Sequence, residues 1–500
     1  MKTFCYLTSC LLIISNSFAQ SIQRDRKQPN IIIFLVDDMG WQDTSVAFDK
    51  KISENNKKYH TSNMEQLSEQ GMKFTQGYAA SVCSPSRVSL LTGSNAARHR
   101  VTNWAFLGDT PTDVEDSKLI PPKWNVNGIS PEPNISLTYY AKSLPELLKK
   151  VGYYTVLIGK AHFGAKGTLG ENPIALGFEK NIAGHAGGGL ASYSGLQNFG
   201  NLPSGKSSPF AIPDMEAYWG KDISITEALT REAIATLANR PKEKPFFLYL
   251  SHYAVHTPIE ADNRFIQKYL DKGLNPIEAR YASMIEAMDK SLGDILLYLK
   301  ENNLEENTFI LFLSDNGGLS ALARGGELHR HNAPLNSGKG SAYEGGIRIP
   351  MIAQWKTLVK ANTQTDIPVI IEDIFPTLLD IAQVKSYSVP QTIDGESFLS
   401  ILEGKKSARK RALFWHIPNN WYNVKGHGIG ASSSIRWGKW KLIYMHKTQQ
   451  IELFDLKKDI GETINLTQKY PKQAKKLAQK LTSYLKEVQA QMPIDKKQIK

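Results

Sequence analysis

Ile31-Ile32-Ile33-Phe34-Leu35-Val36, followed directly by Asp37-Asp38, is the stretch that decides the fold. Six consecutive apolar residues, four of them β-branched, fit a strand that is buried on both faces, as in a parallel sheet. The two carboxylates come where ligands bind in open α/β sheets, beyond the carboxyl ends of the strands. The stretch therefore predicts a sheet and a functional site at its edge.

Three further apolar runs, at 154–158, 246–250 and 309–313, are also followed at once by polar residues. Helical spacing at 61–70, 143–151, 224–237 and 277–301 lies between the runs. We therefore predict an α/β fold with a large mixed, mostly parallel sheet flanked by helices. The polar residues that would meet at one edge of this sheet, in addition to Asp37 and Asp38, are Lys160, His162, His252, His256, Asp315 and Asn316.

A second informative stretch is Cys83-Ser84-Pro85-Ser86-Arg87-Val88-Ser89-Leu90-Leu91-Thr92-Gly93, which predicts a helix that begins at the cysteine. Pro85 suits a first helical turn and Gly93 suits a helix end. Free N–H groups at a helix N-terminus favour anions, and Arg87 lies one turn further on. The pattern indicates a site for a sulfate or phosphate ester. A Cys-x-x-x-Arg without the longer pattern would be interpreted as a buried cysteine beside a surface arginine.

The composition is that of an ordinary globular protein. The 500 residues are 41% hydrophobic and 22% charged, with a formal net charge of +12. A basic balance suits polyanionic substrates, but much of the excess lies at 472–480 and 496–500, which favour a solvated helix face and a tail. No zinc-finger spacing or nucleic-acid motif occurs, so no nucleic-acid partner is predicted.

Residues 1–19 are typical of a signal peptide, with Lys2, an apolar region at 11–14 and a small-x-small site at 17–19. The apolar region is short for a membrane span, so we predict no stable membrane insertion. Cleavage would leave Cys83 as the one cysteine, expected to be buried, modified or used. We predict an exported protein, periplasmic rather than secreted.

The chain divides into two predicted domains after the signal peptide. A catalytic domain is predicted over 20–404, and a smaller C-terminal α+β domain over 412–500. Runs at 412–416, 434–444 and 452–455 predict a small antiparallel sheet, and 471–489 predicts a closing amphipathic helix.

Asp37, Asp38, Asp315 and Asn316 offer only hard oxygen ligands, which suit calcium or magnesium rather than zinc. An Asp-Asn-Gly run alone is often only a turn. Here both pairs follow apolar strands, which favours a metal site. A cation there would neutralise the charge of an ester and polarise its oxygens.

Several segments together resemble the formylglycine-dependent sulfatases of the alkaline phosphatase-like superfamily, in particular exported bacterial enzymes that degrade polysaccharides. The segments are the Cys83–Gly93 stretch, Gly159-Lys160-Ala161-His162, the 252–258 segment with His256, the 338–350 segment with Lys339, and the C-terminal pieces 452–456 and 462–466. Ala161 stands where an aromatic residue is commoner, and Val255 where a proline is frequent. Both departures concern local packing and substrate preference.

The resemblance implies a sulfuric ester hydrolase in which Cys83 is converted to formylglycine (3-oxoalanine) by a formylglycine-generating or anaerobic sulfatase-maturating enzyme. It implies that residue 83 joins the four oxygen ligands around one cation, calcium rather than magnesium.

The resemblance also implies a role for each catalytic residue. The hydrated aldehyde, held by the metal and Arg87 and deprotonated with help from Asp315, attacks sulfur. Lys160 and Lys339 stabilise the sulfate oxygens. His256, with Lys339 near it, protonates the departing sugar oxygen, and His162 takes the proton that allows sulfate to leave.

The implied substrate is a sulfated oligo- or polysaccharide, with ulvan or carrageenan as the expected class and glycosaminoglycans as the alternative. Long loops at 104–134, 165–222 and 317–337 are expected to form the rim of the site. Candidate sugar contacts are His185, Arg324, His329, His331, His416 and Trp421.

Three rival functions are weighed against this interpretation. A phosphate or phosphonate monoester hydrolase of the same superfamily would need the same pocket. A non-catalytic binder of sulfated glycans would have no use for both proton-transfer histidines. A membrane-bound transferase would be expected to carry transmembrane segments.

Overall fold

The computed structural model describes residues 27–203, 207–319, 331–405, 410–421 and 427–499, so the predicted signal peptide lies outside the described residues. The strands are Asn30–Val36 (β1), Met72–Phe74 (β2), Gly77–Tyr78 (β3), Leu119–Ile120 (β4), Ile129–Ser130 (β5), Tyr139–Tyr140 (β6), Tyr154–Gly159 (β7), Lys180–Ile182 (β8), Phe246–Ser251 (β9), Thr308–Ser314 (β10), Arg348–Ile349 (β11), Met351–Gln354 (β12), Thr363–Thr365 (β13), Val369–Ile370 (β14), Ala412–Ile417 (β15), Ser432–Trp437 (β16), Trp440–Met445 (β17), Gln450–Asp455 (β18) and Ile494–Asp495 (β19).

The α-helices are Glu54–Lys58 (α1), Ser62–Glu69 (α2), Cys83–Thr92 (α3), Ala96–His99 (α4), Leu144–Lys150 (α5), Ile225–Ala238 (α6), Ile266–Asp271 (α7), Pro276–Glu301 (α8), Glu344–Ile347 (α9), Ile374–Ile381 (α10), Leu399–Leu402 (α11) and Pro471–Glu487 (α12). No described helix is both long enough and apolar enough to cross a membrane.

An eight-stranded sheet in the order β13-β2-β12-β10-β1-β9-β7-β8 forms the centre of the molecule. Strands β10, β1, β9, β7 and β8 pair in parallel, and β12 runs antiparallel to both of its neighbours. The predicted mixed, mostly parallel α/β fold is therefore confirmed. The four apolar runs of the sequence are the adjacent strands β10, β1, β9 and β7.

Helices cover both faces of this sheet. Ile32, Phe34 and Val36 of β1 point to the side of α2, α6 and α8. Ile31, Ile33 and Leu35 point to the other side, where α3, α5 and α10 pack. Because successive side chains of a strand alternate between faces, an unbroken apolar run can fill two cores at once.

Helix α3 begins at Cys83 and is buried along its whole length. Gly93 follows it with φ 70° and donates its N–H to the carbonyl of Ser89 at 2.8 Å. This left-handed conformation is the one that favours glycine at a helix C-terminus. The predicted helix, its start and its end are thus confirmed.

Strands β15, β16, β17 and β18 form a small antiparallel sheet, as predicted. The run at 434–444 is not one strand, however, because Gly438, with φ 62°, begins a turn that separates β16 from β17. Leucines of α12 pack on this sheet, while its lysines 472, 475, 476 and 480 are exposed. The domain bounds 20–404 and 412–500 stay a prediction.

Glu372, between β14 and α10, is buried and accepts a hydrogen bond from Asn95 Nδ2 at 2.8 Å. Burial raises the pKa of Glu372 to about 8. An unfolded chain releases this proton above a pH of about 4.5, whereas the folded protein holds it up to about pH 8. The contribution of Glu372 to stability is therefore complete at low pH and is lost as pH rises through this window.

We expect Glu372→Gln, which cannot ionise, to be more stable than the wild type at pH 8, by on the order of 4 kcal/mol. The difference should vanish near pH 4.5. Urea unfolding at several pH values measures it, with Asp380→Asn on the exposed surface as the control. Equal stability of Glu372→Gln and wild type at pH 8 would contradict the expectation.

Candidate active site

The carboxyl ends of β1 and β10 bring Asp37, Asp38, Asp315 and Asn316 together. The two strands are parallel and in register, with Val36 opposite Ser314, so the residues that follow them lie side by side. The backbone N–H of Asp38 donates to Asp315 Oδ1 at 3.2 Å, and Asn316 Nδ2 donates to Asp38 Oδ1 at 2.9 Å. Ligand oxygens of the three aspartates lie within 4.8 Å of one another.

This cluster has the donor set of a hard divalent cation. Asp37 Oδ1, Asp38 Oδ2 and Asn316 Oδ1 are buried without a hydrogen-bond partner. A buried polar atom without a partner is costly, and a coordinated cation would satisfy all three oxygens. The residues therefore fit a calcium or magnesium ion.

Three basic side chains pair with the three carboxylates. Each pair is fully or almost fully buried, so the attraction is weakly screened by solvent. The pairs are Arg87 Nη2 with Asp315 Oδ2 at 2.8 Å, Lys160 Nζ with Asp37 Oδ2 at 2.5 Å, and Lys339 Nζ with Asp38 Oδ1 at 2.5 Å.

These pairs decide the charge states of the site. Burial acts against ionisation, but Lys339 lowers the pKa of Asp38, and Arg87 lowers the pKa of Asp315. Burial likewise acts against the charge of Lys339, yet Asp38 raises its pKa above the ordinary lysine value. For Asp37, burial and the neighbouring Asp315 raise the pKa. The site thus combines fixed positive charge with carboxylates that lie close enough to oppose one another's ionisation, and a bound cation would relieve this repulsion.

Cys83 lies at the first turn of α3, close to these charges. Its thiol is buried, and burial raises its pKa. The helix begins at this residue, so backbone N–H groups of the first turn are free for an anion. Arg87, one turn on, also donates to the carbonyl of Lys160 at 2.9 Å and to Ser251 Oγ at 2.7 Å.

Two uncharged histidines lie beside these charged residues. His162 Nε2 donates to the carbonyl of Ala105 at 2.8 Å, which leaves Nδ1 with a lone pair and no partner among the described residues. Burial lowers its pKa, so the ring is neutral and able to accept a proton. His256 Nδ1 donates to the carbonyl of Thr257 at 2.7 Å, and its Nε2 lies 3.7 Å from Asp38 Oδ2. Burial lowers the pKa of His256 to about 3.

A pocket of about 490 Å³ opens above this group. Its floor is ionic and includes Asp38, Cys83, His162, His256 and Lys339. Its upper lining is apolar and is formed by Trp104, Leu190, Phe210, Leu319 and Trp421, among others.

Comparison with known proteins identifies the family. The family described as Sulfatase matches residues 29–384, and N-sulphoglucosamine sulphohydrolase, C-terminal, matches 338–491. The chain belongs to the sulfatase family. A sulfatase of Formosa agariphila is 30% identical over 97% of this chain and 94% of its own length.

Two further relatives have more specific names. Human N-acetylgalactosamine-6-sulfatase is 29% identical over 79% of this chain and 73% of its own length. The crystal structure of Ps i-CgsB in complex with k-i-k-neocarrahexaose has a TM-score of 0.71 and 26% identity, covering 92% of this chain and 93% of that one. This sulfatase is thus a sulfuric ester hydrolase.

Four of the candidate sugar contacts lie in the part of the chain that the structure describes, and of these four only Trp421 lines the pocket of the sulfatase. Arg324 and His329 lie outside the described residues. His185 packs beside Tyr253, with ring centroids 6.5 Å apart. His331 pairs with Glu278 at 3.3 Å, and His416 bonds to Ser433 Oγ and to the carbonyl of Gln491 inside the small sheet.

His185, His331 and His416 do not line this pocket. Sugar contact by these three residues stays a prediction. Sequence reasoning missed Trp104 and Phe210, although it placed both on loops expected to form the rim. It also missed Ala105, whose carbonyl determines which nitrogen of His162 carries the proton. Only the loop lengths gave a signal for these residues.

We expect Ca²⁺ to raise the melting temperature of the sulfatase, because a ligand that binds only the folded state stabilises it. Asp38→Asn should abolish this shift, since it removes a charge from the cation site. Asp289→Asn, at a buried carboxylate outside the cluster that accepts hydrogen bonds from Asn63 and Met64, is the control and should keep the shift. Thermal unfolding with and without Ca²⁺ or Mg²⁺ measures the effect. An unchanged Ca²⁺ shift in Asp38→Asn would place the cation elsewhere.

Proposed function

We propose that this sulfatase hydrolyses sulfate esters on a sulfated carbohydrate, in the degradation of an algal polysaccharide of the ulvan or carrageenan type. One observation carries the proposal. Cys83, the carboxylate cluster and two neutral histidines meet at the ionic floor of a pocket with aromatic walls. The floor suits a sulfate group, and the walls suit the apolar face of a sugar ring.

The proposal includes two groups besides the ordinary side chains of the protein. Formylglycine made from Cys83 would supply the nucleophilic oxygen, and a divalent cation, calcium rather than magnesium, would polarise it and neutralise sulfate charge. Asp37, Asp38, Asp315 and Asn316 would hold the cation together with residue 83.

The protein's own cations would orient and stabilise the sulfate group. Arg87, Lys160 and Lys339 are buried beside residue 83 and are held by carboxylates, so they need not reorganise when negative charge develops on the sulfate oxygens. In transfers of this kind, positioning and charge stabilisation supply most of the catalysis.

The histidines would move protons at opposite ends of the reaction. The free Nδ1 of His162 would accept the proton that residue 83 must lose before sulfate can leave. The sugar oxygen needs a proton as its bond to sulfur breaks. Lys339 carries one, and an anionic sulfate group beside His256 would raise the pKa of His256, so that its Nε2 could donate.

The relatives support the substrate class. The structure of Ps i-CgsB holds a neocarrahexaose, which favours carrageenan. The N-acetylgalactosamine-6-sulfatases favour a glycosaminoglycan, which we keep as the second candidate.

Export supports an extracellular polysaccharide as substrate. We propose that residues 1–19 direct the chain to the periplasm and that a formylglycine-generating or anaerobic sulfatase-maturating enzyme acts on Cys83. Cys83 would then be the one cysteine of the mature protein, available to the maturating enzyme before folding buries it.

The decisive experiment is inorganic sulfate release from ulvan, carrageenan and glycosaminoglycan oligosaccharides by protein co-produced with a formylglycine-generating enzyme. We expect release from one class, and none from Cys83→Ala. Cys83→Ser should turn over at most once, because serine offers one hydroxyl where two are needed. An aryl sulfate and an aryl phosphate test the chemistry. Faster phosphate release, or multiple turnovers by Cys83→Ser, would contradict the proposal.

We expect Trp421→Ala to lower kcat/KM for the oligosaccharide roughly tenfold, equivalent to about 1.4 kcal/mol, because it removes an aromatic wall of the pocket. The loss on a small aryl sulfate should be less. Trp437→Ala, at a half-buried tryptophan of β16 that does not line the pocket, is the control. Equal losses for both tryptophan variants would argue against sugar contact by Trp421.

A further inference from the structure

Gly187-Gly188-Gly189 forms an irregular segment between β8 and α6, and its last two residues line the pocket. None of the three glycines has φ in the left-handed region. Their backbone conformation is therefore open to other residues. The reason for glycine must lie in what surrounds the segment.

The segment touches histidine rings. A methyl group on Gly188 would lie 2.3 Å from Cε1 and 2.9 Å from Nδ1 of His162. On Gly189 it would lie 3.0 Å from Cε1 of His256, and on Gly187 it would lie 2.4 Å from Cε1 of His185. Two carbon atoms that are not bonded to each other cannot lie as close as 2.3 Å. Any side chain at 188 must therefore displace the imidazole of His162 or the segment itself.

The segment is anchored on both sides and has little room to yield. Before it, Tyr253 Oη donates to the carbonyl of Ala183 at 2.9 Å, and the N–H of His162 donates to the carbonyl of His185 at 3.1 Å. After it, the N–H of Ala191 donates to the carbonyl of Phe210 at 3.0 Å. A side chain at 188 would therefore displace the imidazole of His162 more readily than the backbone of the segment.

His162 is also held from other directions. Its Nε2 donates to the carbonyl of Ala105, and its backbone has φ 57°, which is unusual for a residue with a side chain. The contact with Gly188 thus completes a set of restraints on the ring. These restraints leave Nδ1 as the nitrogen free to accept a proton.

We propose that Gly188 and Gly189 are positioning residues, which hold the imidazoles of His162 and His256 where they can exchange protons at the sulfate ester. This inference rests on the proposed function, which gives these histidines their proton-transfer roles. Gly188 makes the tighter contact, so its effect should be the larger.

Alanine substitutions at adjacent glycines test the inference. Gly188→Ala should lower kcat roughly 10- to 100-fold, because displacement of a reacting group by about 1 Å can cost that much. Gly189→Ala should lower it less. Gly187→Ala meets an imidazole just as closely, but that of His185, which does not line the pocket, so it should keep kcat within about threefold of the wild type.

A double-mutant cycle separates positioning from a general effect on folding or pocket size. His162→Ala removes the ring that a side chain at 188 would meet. Gly188→Ala should therefore lower the melting temperature and kcat of the wild type, yet change neither further in the His162→Ala background. Equal losses of melting temperature and kcat in both backgrounds would overturn the inference, because the effect of Gly188→Ala would then not depend on the ring of His162.

The two arms of the cycle also separate this inference from the proposed function. Coupled melting temperatures without any sulfatase activity in the wild type would refute the function and leave the contact established. Coupled melting temperatures with an active, unimpaired Gly188→Ala enzyme would refute positioning alone.

Discussion

Three buried carboxylates at one edge of the sheet are the constraint on which the rest of the site depends. Parallel pairing of β1 and β10 in register forces Asp37, Asp38 and Asp315 together, away from water. Unpaired charges in such a place would cost several kcal/mol each. Arg87, Lys160 and Lys339, from three other parts of the chain, compensate these charges. They are buried because each must reach a buried carboxylate. The charges that would bind a sulfate ester are thus already required to hold the fold together.

Sequence reasoning reached this edge because its signals are local. Unbroken apolar runs predict buried strands. Once β1, β7, β9 and β10 are parallel and adjacent, the polar residues directly after them lie at the same edge of the sheet. The helix from Cys83 to Thr92 could be predicted in the same way, from Pro85 in its first turn and from Gly93 after its end. Both predictions depend only on residue spacing and backbone chemistry within about ten residues of the chain.

The pocket walls were less predictable, since loop conformation depends on distant contacts. Phe210 stacks on Phe106 with ring centroids 4.6 Å apart, a contact between two loops about a hundred residues apart in sequence. Histidine chemistry likewise does not tell a sugar contact from an interior ring. His416 was predicted as a sugar contact, and in the structure Ser433 Oγ and the carbonyl of Gln491 bond to its two nitrogens. The turn at Gly438 was hidden within an otherwise continuous β-branched and aromatic run.

The small sheet has a larger part in the site than its position at the end of the chain suggests. Lys441 of β17 is fully buried and pairs with Glu344 at 3.0 Å and with Glu462 at 2.8 Å. Glu344 begins α9, the helix that directly follows the segment containing Lys339.

The contacts of Trp421 are a second link between the small sheet and the site. A methyl group on Gly340, the residue after Lys339, would meet its ring at 2.2 Å, so the indole lies directly on this backbone. Without the small sheet, Glu344 would lose the charge of Lys441, and the Lys339 segment would lose its cover. The small sheet and the loop that carries Trp421 therefore help to hold the segment of Lys339 in place as well as to form part of the pocket wall.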